Sequence, residues 1–207
     1  MEKLDLTKHD KAYFTAKQTP TLVELGRAFF ISLVGKGDPS GSDFAKQVEA
    51  LYSVAYRLKF LSKAAGKDFV VSKLEGLWWY DEARYPRQTI DTAPLEIPRS
   101  EWEYRLLIRV PAFITPDLLG ESIARVLEKN CEILAHEVDY FELEEGKCVQ
   151  MLHVGPFATE KDTLKEMAAY ISSNRLERNG LHHEIYLSDF RKTAPEKCRT
   201  ILREPVK

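Results

Sequence analysis

Apolar residues fall along this chain in short runs divided by turn-forming residues, and the period of each run predicts its element. The run RAFFISLVGK, residues 27–36, is apolar and aromatic-rich and reads as a strand. It enters Gly35-Lys36-Gly37-Asp38-Pro39-Ser40-Gly41, a dense turn signal. Val48, Leu51, Tyr52, Ala55, Leu58 and Leu61 then recur at helical spacing. Ser42 or Asp43 is the expected cap of that helix, which runs to about Ala65, and Gly66 its terminator. Strands are expected at 69–80 (FVVSKLEGLWWY) and 101–111 (EWEYRLLIRVP). A helix begins at Pro116-Asp117 and is carried by Leu118, Leu119, Ile123, Val126 and Leu127. HEVDYFEL, 136–143, reads as a strand, and residues 144–147 as the hairpin turn after it. CVQMLHVGPF, 148–157, is the next strand, followed by a helix that Thr159 caps. HHEIYLSDF, 182–190, and CRTILREPV, 198–206, are the last two strands.

The second half repeats the plan of the first: strand, glycine turn, helix, strand, strand. ISLVGKG (31–37) matches MLHVGPF (151–157), and KLEGLWWY (73–80) matches HHEIYLSD (182–189), which sets Glu75 over Glu184. The expectation is an α+β chain forming one domain over 1–207. Its repeats span about 27–111 and 148–206, behind an arm, 1–26. The arm docks Tyr13 and Phe14 on the body, with a free tail as the alternative. Duplicated units commonly meet about a pseudo-two-fold axis, and ligand sites favour such interfaces.

Side chains alternate across a strand, so each strand divides into two faces. Glu75, Leu77 and Trp79 share one face; Leu74, Trp78 and Tyr80 share the other. Glu184 shares a face with His182 and Tyr186, while His183 and Ile185 point the opposite way. Trp102, Tyr104, Leu106, Ile108 and Val110 form an apolar stripe whose aromatic end reaches toward a cavity. A mid-strand carboxylate is costly to bury alone. Glu184 and Glu75 therefore read either as solvated outer-face residues or, because the duplication sets them at equivalent positions, as the acids of one interior site. Trp78 and Trp79 point to opposite faces, and a pocket-lining role for either stands beside a purely structural one. His153 and Met151, on the strand before Gly155-Pro156, border the same region; a satisfied structural histidine is the competing reading of His153.

Composition narrows the class. Over 207 residues the formal net charge is −2, with both signs interspersed, so no broad basic field exists to attract nucleic acid or an anionic membrane. Cys131, Cys148 and Cys198 are widely spaced and odd in number, which argues against a disulfide framework or a zinc site and fits a reducing, cytoplasmic setting. The N-terminal residues lack the apolar core of a signal peptide, and no run is long and apolar enough to span a bilayer. No HExxH, nucleophile elbow, Walker loop or GxGxxG is present, and no cofactor or metal is expected. The partner expected is a small molecule, planar and aromatic or electrophilic; the oligomeric state stays open.

FFISLVGKGDPSGSDF, LYSVAYRLKF, KLEGLWWY and HHEIYLSDFRKTAPEKCRTILREPV together resemble the GyrI-like small-molecule-binding proteins, over about residues 10–206. The resemblance implies tandem βαββ (SHS2-type) repeats with pseudo-two-fold symmetry and antiparallel sheets around a central ligand cleft. It implies a buried glutamate among aromatics, matched here by Glu184 beside Tyr186. Some stand-alone members resembling this chain are cyclopropanoid cyclopropyl hydrolases, which add water to the strained cyclopropane of DNA-alkylating compounds. On that resemblance Glu184 and Glu75 are the candidate water-positioning and general-base residues, and Tyr186, Trp79, Trp78 and Tyr104 the ligand-binding ones, with His153 and Met151 at the margin. A sequestering drug binder and a protein-interaction module are the competing function classes.

Overall fold

A computed structural model describes residues 3–131 and 133–207, which places Met1 and Glu2 of the expected arm outside the described residues. The helices are α1 (Leu6–His9), α2 (Lys11–Phe14), α3 (Ser42–Ala64), α4 (Ala93–Glu96), α5 (Pro116–Leu127) and α6 (Glu160–Ser173). The strands are β1 (Thr21–Lys36), β2 (Leu74–Trp79), β3 (Glu103–Val110), β4 (Asp139–Val154), β5 (His182–Tyr186) and β6 (Arg199–Pro205).

All six strands pair antiparallel in the order β1-β3-β2-β5-β6-β4, and β4 pairs back onto β1, so the sheet closes into a barrel. Closure leaves these strands without a free edge. In chain order the halves run β1-α3-β2-β3 and β4-α6-β5-β6, each strand–helix–strand–strand. Two sheets around a cleft were expected; the chain forms one closed sheet, and its two faces carry different chemistry.

The outer face of β1, β3 and β2 buries Ile31, Leu33, Leu106 and Ile108 against the apolar stripes of α3 and α5. The outer face of β4 and β6 buries Val149, Met151 and Leu202 against Leu164 and Met167 of α6. Phe30, Leu77, Leu107, Ile185 and Ile201 fill the barrel interior. Between these helical covers, part of the outer face of β2 and β5 faces a cavity. No helix among the described residues is long and apolar enough to cross a membrane.

α3 is capped at Gly41 rather than by the side chain of Ser42 or Asp43, the strands expected at 69–80 and 182–190 shorten to β2 and β5, and the arm, β1 and β4 depart furthest from expectation. The arm is not irregular: Asp5 and Asp10 accept from the backbone N–H of Thr7 (3.1 Å) and Tyr13 (3.3 Å), capping two single helical turns. Tyr13 and Phe14 at the end of the second turn are buried with the barrel interior. β1 begins at Thr21 because its first residues have partners in β4, from Thr21↔Gln150 onward. The two strands expected at 136–143 and 148–157 form one long strand, β4 (Asp139–Val154), with no hairpin between them. Gly146, at φ 64°, takes up the local bend while β1 runs alongside as a continuous partner. The bend shifts the inward parity of β4 from Phe141 and Leu143 to Cys148 and Leu152. Glu145, just before the bend, continues the inward set of Phe141 and Leu143 and meets His183 and Arg203 inside the barrel.

Candidate ligand cavity and the charged barrel interior

The register of β2 on β5 decides which sequence candidates meet. Gly76 lies opposite Glu184 and Glu75 opposite Ile185. Opposed residues share a face, so Glu184 shares one with Gly76 and Trp78, and Glu75 lies on the reverse. The alignment that set Glu75 over Glu184 spans an odd number of residues and therefore exchanges faces. The expected pair of acids in one shared site is corrected on this ground: Glu184 borders the outer cavity, and Glu75 is buried inside the barrel.

The cavity is about 620 Å³, open on one side, with Trp78, Tyr186, Phe44, Trp102, Phe157 and Phe190 among its walls. Its floor is the Trp78–Tyr186 pair, in which the indole Nε1–H donates to the tyrosine oxygen at 3.1 Å. Gly76 makes that pairing possible: a Cβ there would stand 2.8 Å from Trp78 Nε1 and 3.2 Å from the Tyr186 oxygen. Phe44, from the first turn of α3, stacks on Trp78 with ring centres 6.3 Å apart and planes 17° apart. Phe157 meets Tyr186 edge to face at 5.9 Å. Phe157 and Phe190 stay more than 40% exposed at the mouth, so the entrance itself is apolar. A planar aromatic guest suits such walls, since rings pack face to face or edge to face.

Polar groups concentrate on one wall. His182 lies between Glu204, which its Nδ1 contacts at short range, and Glu184, whose Oε1 is 3.4 Å from Nε2. Both ring nitrogens face carboxylates, so both carry protons and the ring is an imidazolium. Burial pulls the His182 pKa down, but Glu204 and then Glu184 outweigh it and hold the value at about 10. Arg178 approaches the far oxygen of Glu204 at 3.4 Å. The row Arg178–Glu204–His182–Glu184 thus alternates in charge and ends in the carboxylate that borders the cavity. Tyr186 is raised well above the ordinary tyrosine value by burial and by Glu184, so it remains a hydrogen-bond donor. Glu160, the first residue of α6, also borders the cavity, and its buried Oε1 has no hydrogen-bond partner among the described residues.

Inside the barrel a second charged set is fully enclosed. The Tyr13 hydroxyl donates to Glu75 Oε2 at 2.5 Å, and His183 Nε2 reaches the same oxygen at 3.0 Å. His183 Nδ1 meets Glu145 Oε1 at 2.9 Å, and Arg203 holds the other Glu145 oxygen at 2.9 Å. Arg203 also donates to Gln150 and to the Tyr13 carbonyl. Guanidinium groups of Arg109 and Arg203 lie 4.1 Å and 4.5 Å from the Tyr13 ring centre. Two acids thus face two cations, an arrangement in which buried charges are tolerated.

A family model for the GyrI-like small molecule binding domain matches residues 115–207. An uncharacterized conserved protein from Listeria innocua, 35% identical, superimposes with a TM-score of 0.88 over 99% of this chain and 100% of its own. The chain belongs to the GyrI-like family. A hydrolase from Listeria innocua, also 35% identical, superimposes with a TM-score of 0.85 over 99% of this chain and 100% of that one. The C-terminal domain of EcmrR, 11% identical, shares the fold with a TM-score of 0.56 over 91% of this chain and 97% of its own. No curated protein matches the chain.

The remaining candidates of this GyrI-like chain lie at or behind the cavity wall. Trp79 borders the cavity but packs partly with the barrel interior, its Nε1 donating to Glu103 at 2.9 Å. Tyr104 stands one layer back, 5.2 Å from the Trp78 ring centre and 5.1 Å from that of Phe44, and donates to Gln47. His153 is buried away from the cavity, with Nδ1 2.8 Å from Thr163 Oγ1 and Nε2 3.2 Å from the Pro156 carbonyl. Met151 packs beneath α6. Glu160, Glu204 and the role of His182 escaped the sequence reading. Glu204 had one available signal, an acid within the apolar strand CRTILREPV; Glu160 reads from sequence as an ordinary acid in the first turn of a helix.

Proposed function

We propose that this protein binds flat, hydrophobic, electrophilic small molecules in the outer cavity and hydrolyses the strained cyclopropane of DNA-alkylating cyclopropane–dienones. One observation carries the reading: Glu184, ion-paired to His182, stands on the aromatic floor of a cavity large enough for a drug-sized guest. Kinship with a Listeria innocua hydrolase at 35% identity supports the class of activity.

Ring strain and the conjugated carbonyl already activate the cyclopropane carbon. The protein has to hold the flat ligand, place a water against that carbon and accept its proton. Trp78 and Tyr186 form the stacking floor, Phe44 and Phe157 the sides, and Glu184 is the base. Glu75 has no part in this reading, since it lies across the sheet. On the same reading the two halves are tandem βαββ repeats related by a pseudo-two-fold; their equivalent strand orders, β1-β3-β2 and β4-β6-β5, support it.

The test is turnover of a cyclopropane–dienone alkylator, with mass spectrometry reading the gain of one water. Glu184→Gln is expected to retain binding and lose roughly 10²–10⁴-fold in kcat. Tight binding without turnover by the wild-type protein would replace hydrolysis by sequestration.

A further inference from the structure

Glu184 is not the only acid at the cavity. Glu160 reaches it from the N-terminus of α6, a different element from the strand that carries Glu184. The two acids are unequally provided for. Glu184 has His182 at 3.4 Å, and His182 is backed by Glu204 and Arg178. Glu160 makes no ion pair among the described residues, and its Oε1 is buried without a hydrogen-bond partner. Two nearby carboxyls cannot both ionise cheaply, and the one that lacks a cation keeps its proton.

The geometry points to Glu160 as the proton donor of the reaction, with Glu184 as the base, within the hydrolase reading above. The charge environment agrees. Burial first, and the charge of Glu184 second, raise Glu160 well above the usual carboxyl range, and His182 offsets only part of this. The other charged or titratable groups bordering the cavity are Tyr80, Glu82, Arg99, Lys161, Arg178, Tyr186 and Glu204.

The step balances as follows. Water oxygen bonds to the cyclopropane methylene carbon, and that carbon's bond to the spiro carbon of the dienone ring breaks. The released electron pair moves through the dienone to its carbonyl oxygen, leaving a phenol oxygen. Glu160 protonates that oxygen, and Glu184 takes the proton lost by the water. The sum is addition of one water. Proton exchange with solvent returns each acid to its starting state, so neither oxidant nor co-reactant is needed.

Glu160→Gln keeps the shape and neutrality of a protonated glutamate, so it should melt as the wild-type protein does. It keeps an N–H donor but cannot release a proton. Expected is a fall in kcat of roughly 10²–10³-fold with substrate affinity changed only a few-fold. The wild-type decline of kcat at high pH, where Glu160 loses its proton, should vanish in this variant. Infrared difference spectra of wild type against Glu160→Gln at neutral pH, without substrate, should contain the C=O stretch of one protonated carboxyl. Wild-type turnover by the variant, or absence of that band, overturns the assignment. A wild-type protein that fails to turn over the alkylator sinks the hydrolase reading and the donor role with it. The infrared band then still decides where the proton resides.

Discussion

At the residue scale, the cavity depends on a side chain that is missing. Trp78 is packed by Phe44 and Tyr104, so it has little room to yield to a Cβ at position 76. Gly76→Ala should displace the indole, cost about 1–3 kcal/mol as overpacking does, and break the Trp78–Tyr186 hydrogen bond. Weaker binding of a planar aromatic ligand, followed by tryptophan fluorescence, is the expected result; unchanged affinity with unchanged emission would remove the floor from the account. The face of each candidate was readable at this scale. Alternation puts Trp78 with Tyr80 and Glu184 with Tyr186, and the structure keeps both sets. The need for glycine at 76 was not readable, because it arises from a tyrosine more than 100 residues away in sequence.

At the element scale, β5 separates two charged systems with adjacent histidines. His182 faces the cavity and His183 the barrel, each between two carboxylates. The folded pKa of His182, about 10, lies above its ordinary 6.5. Its pairing therefore stabilises the fold fully below pH 6.5, and that contribution is lost as pH rises through 10. The stability gap between wild type and His182→Gln, from denaturant titrations, should be widest below pH 6.5 and shrink by pH 10. A gap that does not vary with pH would mean the ring is neutral. The histidine pair was legible as two opposite-facing side chains. Of their four carboxylate partners only Glu184, on the same strand face as His182, was legible; Glu204, Glu75 and Glu145 come from three other strands.

At the scale of the whole molecule, the closed barrel divides stability from chemistry. Its interior charges are sealed, and the cavity lies on the reverse of the sheet. Burial alone would raise the Glu145 carboxyl, but His183 and Arg203 hold it at about 2, below its ordinary 4.5. Its contribution is present above pH 4.5 and disappears as pH falls through 2. Glu145→Gln should cost about 3–5 kcal/mol at neutral pH, as breaking a buried pair does. Its gap to wild type should close in acid, while kcat of the folded fraction stays that of wild type. A large loss of kcat in the folded variant would show the two faces to be coupled.

Local chemistry along the chain determined most of the elements, the division of each strand into faces and the aromatic character of the strands that line the cavity. These are short-range consequences of period, turn residues and side-chain type. Tertiary structure decided how the strands meet. The register of β2 on β5 sent Glu75 into the barrel, and a bend at Gly146 turned a hairpin signal into one strand. Cross-strand register is a long-range property: a shift of one residue leaves every local pattern intact and exchanges the two faces. The mid-strand glutamate opposite Gly76 is therefore a cavity residue, while the equally mid-strand glutamate one position away is a buried counter-ion.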